Sequence, residues 1–298
     1  MTKLTIAFAS LILASQVGAQ NIVGRDGRTY SLTERIGAGG EIGLFASTGT
    51  ITVTESTGGS VEYRAEKVRG DADDIGFVVL KSATGLTVCA VYDQDDECRE
   101  DGLSSNRRRN WRNWGDRARV NVTVSVPRGT RVRVSSGNGE VSLNAAVAFA
   151  KVTSGNGKVR VSGVLGEVQA SSGNGEVTVE NATGPVRASS GNGDVSIGTV
   201  NGPVNASSGN GDILVSMDRL TGSGDLEFTT GNGRIEVTVP ADFSASVEAS
   251  TGSGSITTDF PIKLIGRLSP SRLRGTIGDG TRRLRMSSGN GSMEIRKR

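Results

Sequence analysis

The side chains that could do chemistry are few and unevenly placed. The chain of 298 residues has no His and only two Cys. That removes His-based triads, His–carboxylate bases and His-ligated metals, and two cysteines cannot complete a four-cysteine zinc site. Carboxylates recur directly after a Gly-Asn-Gly tripeptide, at Glu140, Glu176, Asp194 and Asp212, with Lys158 and Arg234 in the same place in other copies. Stacked on neighbouring strands, Glu176, Asp194 and Asp212 would lie about 5 Å apart, the separation of the carboxyl pair in a retaining glycosidase. Such crowding of like charge raises a pKa. The same column is also what a solvated surface ladder looks like, with Glu140, Lys158 and Glu176 alternating in sign. Gly-x-Ser-x-Gly elbows and P-loops are absent. The expectation is therefore no enzyme and no catalytic residue, with a polysaccharide-acting enzyme built on the stacked carboxylates as the alternative.

A second group of reactive side chains lies between Tyr92 and Arg119, where no repeat is visible. Its first half holds Asp93, Asp95, Asp96, Glu97, Glu100 and Asp101, and its second half Arg107, Arg108, Arg109, Trp111, Arg112 and Trp114. Asp93-x-Asp95-x-Glu97 begins like a calcium loop, but Cys98 stands where the sixth-position glycine is required and no Glu falls at the twelfth. No metal and no cofactor are expected. The Arg and Trp side chains could hold a polyanion through guanidinium contacts and indole stacking. The competing reading is neutralisation by the acidic half of the same segment.

The surroundings of these groups point outside the cytoplasm. Met1-Thr2-Lys3 is a short basic start, Leu4 to Val17 is uncharged and apolar, and small residues follow up to Ala19. That is the pattern of a secretory signal peptide over 1–19, cut before Gln20. Cys89 and Cys98, the only thiols, then form one structural disulfide. The net charge of +3 demands no nucleic-acid partner. The expected location is exported, either periplasmic or secreted, including at the cell surface.

The elements that position everything else are set by an internal repeat. Gly-Asn-Gly recurs every 18 residues from 137 to 211, then returns at 231–233 and 289–291, with Gly252-Ser253-Gly254 between them. In each copy, Val141, Val159, Val177, Val195 and Ile213 alternate with polar residues. A preceding strand carries Val134, Val152, Ala170, Ala188 and Ala206, then a Ser column at 136, 154, 172, 190 and 208. Period-two alternation marks a strand with one buried face. A single unit of this kind buries nothing alone, whereas stacked copies bury one another. The fold expected is all-β: a single-stranded parallel β-solenoid, or β-helix, of about 18 residues per coil. Asn138, Asn156, Asn174, Asn192, Asn210, Asn232 and Asn290 would form a structural ladder of side-chain amides at the turns.

These Ser-Gly-Asn-Gly-x-Val/Ile repeats resemble the bacterial putative adhesin family, a domain-of-unknown-function group of exported β-solenoids. The stretch Thr87 to Tyr92 before an acidic loop with a second Cys is similar too. So are Val120 to Thr130 before the first repeat and the closing run Leu273 to Arg296. The resemblance covers roughly 36–298; it implies a fold and an exported location, and supplies no catalytic residue.

Three regions follow: a signal peptide over 1–19, irregular N-terminal coils or a cap over 20–130 with a disulfide-pinned charged loop at 92–119, and regular solenoid repeats over 131–298. Ser47 to Val53 has the form of a decayed repeat. Arg296-Lys297-Arg298 would make a charged terminal edge that discourages end-to-end pairing. The expected role is a binding or structural module of the bacterial envelope. Its partners would be an envelope glycan, a lipid headgroup or another envelope protein, and not intracellular nucleic acid. Self-assembly through the terminal coils is a further alternative.

Overall fold

A computed structural model describes residues 20–93, 95–105, 118–221, 224–266 and 269–298. Each regular coil contributes one strand to each of two long sheets that share a core. In the larger sheet Arg131–Asn138, Phe149–Asn156, Glu167–Asn174, Val186–Asn192, Val204–Asn210 and Leu226–Asn232 lie side by side, all parallel. The Gly-Asn-Gly turn carries the chain into the smaller sheet. There Val141–Asn144, Val159–Ser162, Val177–Glu180, Val195–Val200, Ile213–Met217 and Ile235–Val239 pair in parallel. The register is that of the repeat, with Val134 beside Val152, then Ala170, Ala188 and Ala206. The parallel solenoid expected from the repeat is the architecture found.

The inward columns are Val, Ile, Ala and Leu, almost wholly buried between the sheets, and each buried Val contributes about 1.5–3 kcal/mol relative to exposure. The inward Ser column is buried as well and is satisfied along the stack. Ser154 Oγ donates to the Gly139 carbonyl at 2.8 Å, Ser172 to Gly157 at 2.8 Å and Ser190 to Gly175 at 2.8 Å. A buried hydroxyl without such a partner would cost stability. The flanking glycines are required for two different reasons. Gly175 sits at φ 150°, and a Cβ on Gly173 would stand 2.5 Å from the Gly155 carbonyl oxygen of the preceding coil.

The decayed repeat is the first coil. Glu41–Thr48 pairs in parallel with Arg131–Asn138, and Ile51–Glu55 with Val141–Asn144, so Thr48 takes the Asn position. Gly85–Val91 and Arg119–Val126 form a capping coil beside it, one strand in each sheet. Beyond them the pairing turns antiparallel: Gly76–Lys81 and Ile22–Val23 close the larger sheet, and Ser60–Arg69 and Thr29–Arg35 the smaller. In the capping coil Tyr92 and Asp93 follow the strand where other coils have Gly-Asn-Gly. Tyr92 fills the Asn place, its hydroxyl donating to the Thr48 carbonyl at 2.6 Å.

The other end corrects the expectation of a charged C-terminal edge at Arg296 to Arg298. Arg283–Asn290 lies between Leu226–Asn232 and Ala245–Ser253, and Met293–Lys297 between Ile235–Val239 and Ile256–Thr258. The last coil in sequence is thus interior to the stack. The reason lies in the turns. The last coil carries a full Ser-Gly-Asn-Gly and extends the amide ladder through Asn290, whereas the coil at 245–258 has Ser253 there and ends it. Arg272–Ile277 then pairs antiparallel with Ala245–Ser253, and Lys263–Leu264 with that strand, to form the edge.

Candidate binding face

The seven ladder asparagines form one continuous line. Asn156 Nδ2 donates to Asn138 Oδ1 at 2.8 Å, Asn174 to Asn156 at 2.7 Å, and Asn192, Asn210, Asn232 and Asn290 each to the preceding Oδ1 at 2.8 Å. Each interior amide therefore has its donor and acceptor engaged within the protein.

The carboxylate column is also engaged. Asp194 accepts the Asp212 N–H and Asp212 the Arg234 N–H, both at 2.8 Å. Glu140 is ion-paired with Arg160, and Glu176 with Lys158 at 3.0 Å. The hydrogen bond from Lys158 is the largest influence on Glu176 and, together with the Lys158 charge and the Thr178 hydroxyl, holds its pKa below the usual carboxylate value against the opposing effect of burial. A general acid needs the reverse shift.

Cys89 and Cys98 are bonded, with Cα atoms 5.8 Å apart. Cys89 points outward from the larger sheet, and around it Phe45, Val78, Val91 and Cys98 form a second small core. The hairpin Asp96–Arg99 and Gly102–Ser105 packs there through Leu103. Asp96 Oδ2 fixes its entry by accepting the Tyr92 N–H at 2.8 Å and the Asp93 N–H at 3.1 Å. Arg107, Arg108, Arg109, Trp111, Arg112 and Trp114 lie outside the described residues, as does the proposed leader 1–19.

The hairpin overhangs the outer face of the larger sheet and shapes a groove there. A space of about 390 Å³ separates Asp101 and Leu103 from Arg133, Ser135, Lys151 and Thr153. A second space of about 330 Å³ continues from Lys151 and Thr153 along Gln169, Arg187 and Asn205. Two outward columns make its floor. One is the hydroxyl line Ser135, Thr153, Ser171, Ser189 and Ser207, and the other is Arg133, Lys151, Gln169, Arg187 and Asn205.

Partners within the protein differ sharply along these columns. Arg133 is ion-paired with Glu41, and Arg187 Nη1 lies 3.3 Å from Glu167. Lys151 has no ion pair among the described residues, and the Ser135, Ser171, Ser189 and Ser207 hydroxyls have no hydrogen-bond partner there. The groove therefore offers one uncommitted ammonium with the free Ser135 and Ser171 hydroxyls on the strands to either side, and the Ser189 and Ser207 hydroxyls follow one strand spacing of about 4.8 Å apart. Sequence reasoning passed over this face. Its signal was present in the residue two before each Gly-Asn-Gly (Ser135, Thr153, Ser171, Ser189 and Ser207), hydroxyl-bearing in all five in-phase copies.

These features define a class: a two-sheet parallel β-solenoid with amide-ladder turns, a covered N-terminal end and a polar groove on one face. The chain belongs to the family described as Toastrack DUF4097, whose model matches residues 94–296. None of the curated proteins matches it. Among solved structures, one titled a putative adhesin from Parabacteroides merdae is 12% identical with a TM-score of 0.46, covering 91% of this chain and 97% of that one. Another putative adhesin, from Bacteroides fragilis, is 15% identical with a TM-score of 0.41 over 92% and 99%. A putative lipid binding protein from Parabacteroides distasonis is 11% identical with a TM-score of 0.37 over 91% and 95%.

Proposed function

We propose that the protein is an exported, non-enzymatic binding module of the cell envelope. In this reading the groove on the outer face of the larger sheet holds an extended anionic glycan. The observation that carries it is the line of unpartnered hydroxyls at 135, 171, 189 and 207, with the unpaired Lys151 on the strand between the first two. Sugar hydroxyls exchange hydrogen bonds with serines, and a uronate or sulfate group would sit against the ammonium. Repeated weak contacts along a polymer add to a useful affinity where no single one would suffice. Export is supported by the leader pattern of residues 1–19 and by the disulfide, a bond that persists in oxidising compartments. The absence of a need for catalysis is supported by the carboxylates, each held by a backbone N–H or a basic side chain.

Isothermal titration with polygalacturonate and with a neutral linear β-glucan tests the reading. Binding of the polyanion that weakens in Lys151→Gln and in Ser171→Val supports it. Equal binding by these variants, or release of reducing ends during incubation, would sink it.

A further inference from the structure

The two ends of the stack differ in charge. Residues 20–126, the first coil and the N-terminal cap, hold sixteen Asp and Glu against fourteen Lys and Arg, whereas the edge coil at the other end, residues 245–282, holds three against five. Fourteen strands in the larger sheet put those ends about 60 Å apart at ~4.8 Å per strand. That is several times the Debye length of ~8 Å at physiological salt, so a surface touching one end barely senses the other.

The basic end also exposes apolar side chains. Lys263–Leu264 is the last strand of the larger sheet and pairs only with Arg272–Ile277. Leu264 is 45% exposed and Ile265, whose N–H donates to the Arg274 carbonyl at 2.9 Å, is 56% exposed. No other two consecutive large aliphatics are exposed among the described residues. Strand alternation sets Arg272 and Arg274 outward beside them, since Leu273 between the two is buried. Lys263, Arg272 and Arg274 form no ion pair among the described residues, in contrast to Arg296 and Arg298, which are paired with Glu236, Glu294 and Asp218.

We propose that this end docks on an anionic lipid surface. Leu264 and Ile265 would enter the headgroup region while Lys263, Arg272 and Arg274 meet the lipid charges, the combination by which peripheral proteins hold a bilayer. Contact through this end alone would stand the rod upright, with the groove along its side and open to the surrounding space. This docking is independent of what the groove binds.

The test uses the full chain with an environment-sensitive fluorophore on Ile265→Cys, or at the opposite end on Thr33→Cys. Vesicles of phosphatidylcholine with phosphatidylglycerol, or of phosphatidylcholine alone, are added. The expected result is a blue shift of the 265 label with the anionic vesicles only, reversed by high salt, and no shift of the 33 label. Arg272→Gln/Arg274→Gln should weaken binding about thirty-fold. Four results would overturn the proposal. They are an unchanged 265 label, a shift of the 33 label alone as leader anchoring would give, full binding by the double variant, and salt-sensitive self-association in place of vesicle binding.

Discussion

Replacing Asn174 by Ala removes two links of the amide ladder at once. Asn174 donates to Asn156 at 2.7 Å and accepts from Asn192 at 2.8 Å. Asn138, at the end of the line, has one such link, the bond it accepts from Asn156. A net hydrogen bond contributes about 0.5–1.5 kcal/mol. Asn174→Ala should then cost about 1–3 kcal/mol and Asn138→Ala about half that, with both values toward the low end because water reaches the exposed ladder. Urea unfolding followed by circular dichroism gives the two losses, provided the slope is unchanged so that the midpoint alone reports stability. Coupling in a stack is chiefly between neighbours, so a double-mutant cycle between Asn174 and Asn192 should show interaction, and one between Asn138 and Asn290 none. Equal losses at 174 and 138, or coupling that ignores adjacency, would refute the ladder as a cooperative tie between coils.

Three further outcomes follow from the same geometry. Ser172→Ala strips the half-buried Gly157 carbonyl of its Ser172 donor and should cost about 0.5–1.5 kcal/mol, whereas the outward Ser171→Ala should leave the urea midpoint nearly unmoved. Reducing the Cys89–Cys98 bond, which closes a sequence separation of only 9, should lower stability by roughly 2–3 kcal/mol on the loop-closure scale. Thermal unfolding with and without reductant reads this, and no change would mean that the hairpin is held by its apolar contacts alone. Glu176 is held below its ordinary pKa by Lys158, so its contribution is present above the ordinary Glu value and is lost as pH falls through the lowered one. Lys158→Met should flatten that acid dependence by a small, salt-screened amount, and an unaltered pH profile would show the pair to be inert.

Much of the fold was legible because an 18-residue period leaves one packing solution. Val134 and Val141 mark the two inward faces, Asn138 the turn, and Ser47 to Val53 a coil that kept its spacing after losing its Asn. Coil order at the C-terminal end was not legible. The unequal spacings after Gly209 signal an interruption, but strands pair by edge, and a coil can join any compatible edge that the connecting chain reaches. Ser253 in the Asn position is the one clue that its coil closes the ladder. The groove was hidden for a different reason. Ser171 and Lys151 are ordinary surface residues one at a time, and only the overhang of the 96–105 hairpin, set by the Cys89 and Phe45 cluster, turns their columns into a channel. The carboxylate column shows the converse: its spacing suggested chemistry, and its backbone N–H contacts explain it structurally.

The claim that matters most is that a polymer lies along those columns. Affinity measured for a length series of galacturonate oligomers tests it directly. It should rise until the oligomer spans the roughly 19 Å from Arg133 to Asn205, four strand spacings, then level off, with Lys151→Gln lowering the whole series. A flat series, or one unaffected by that substitution, would contradict it.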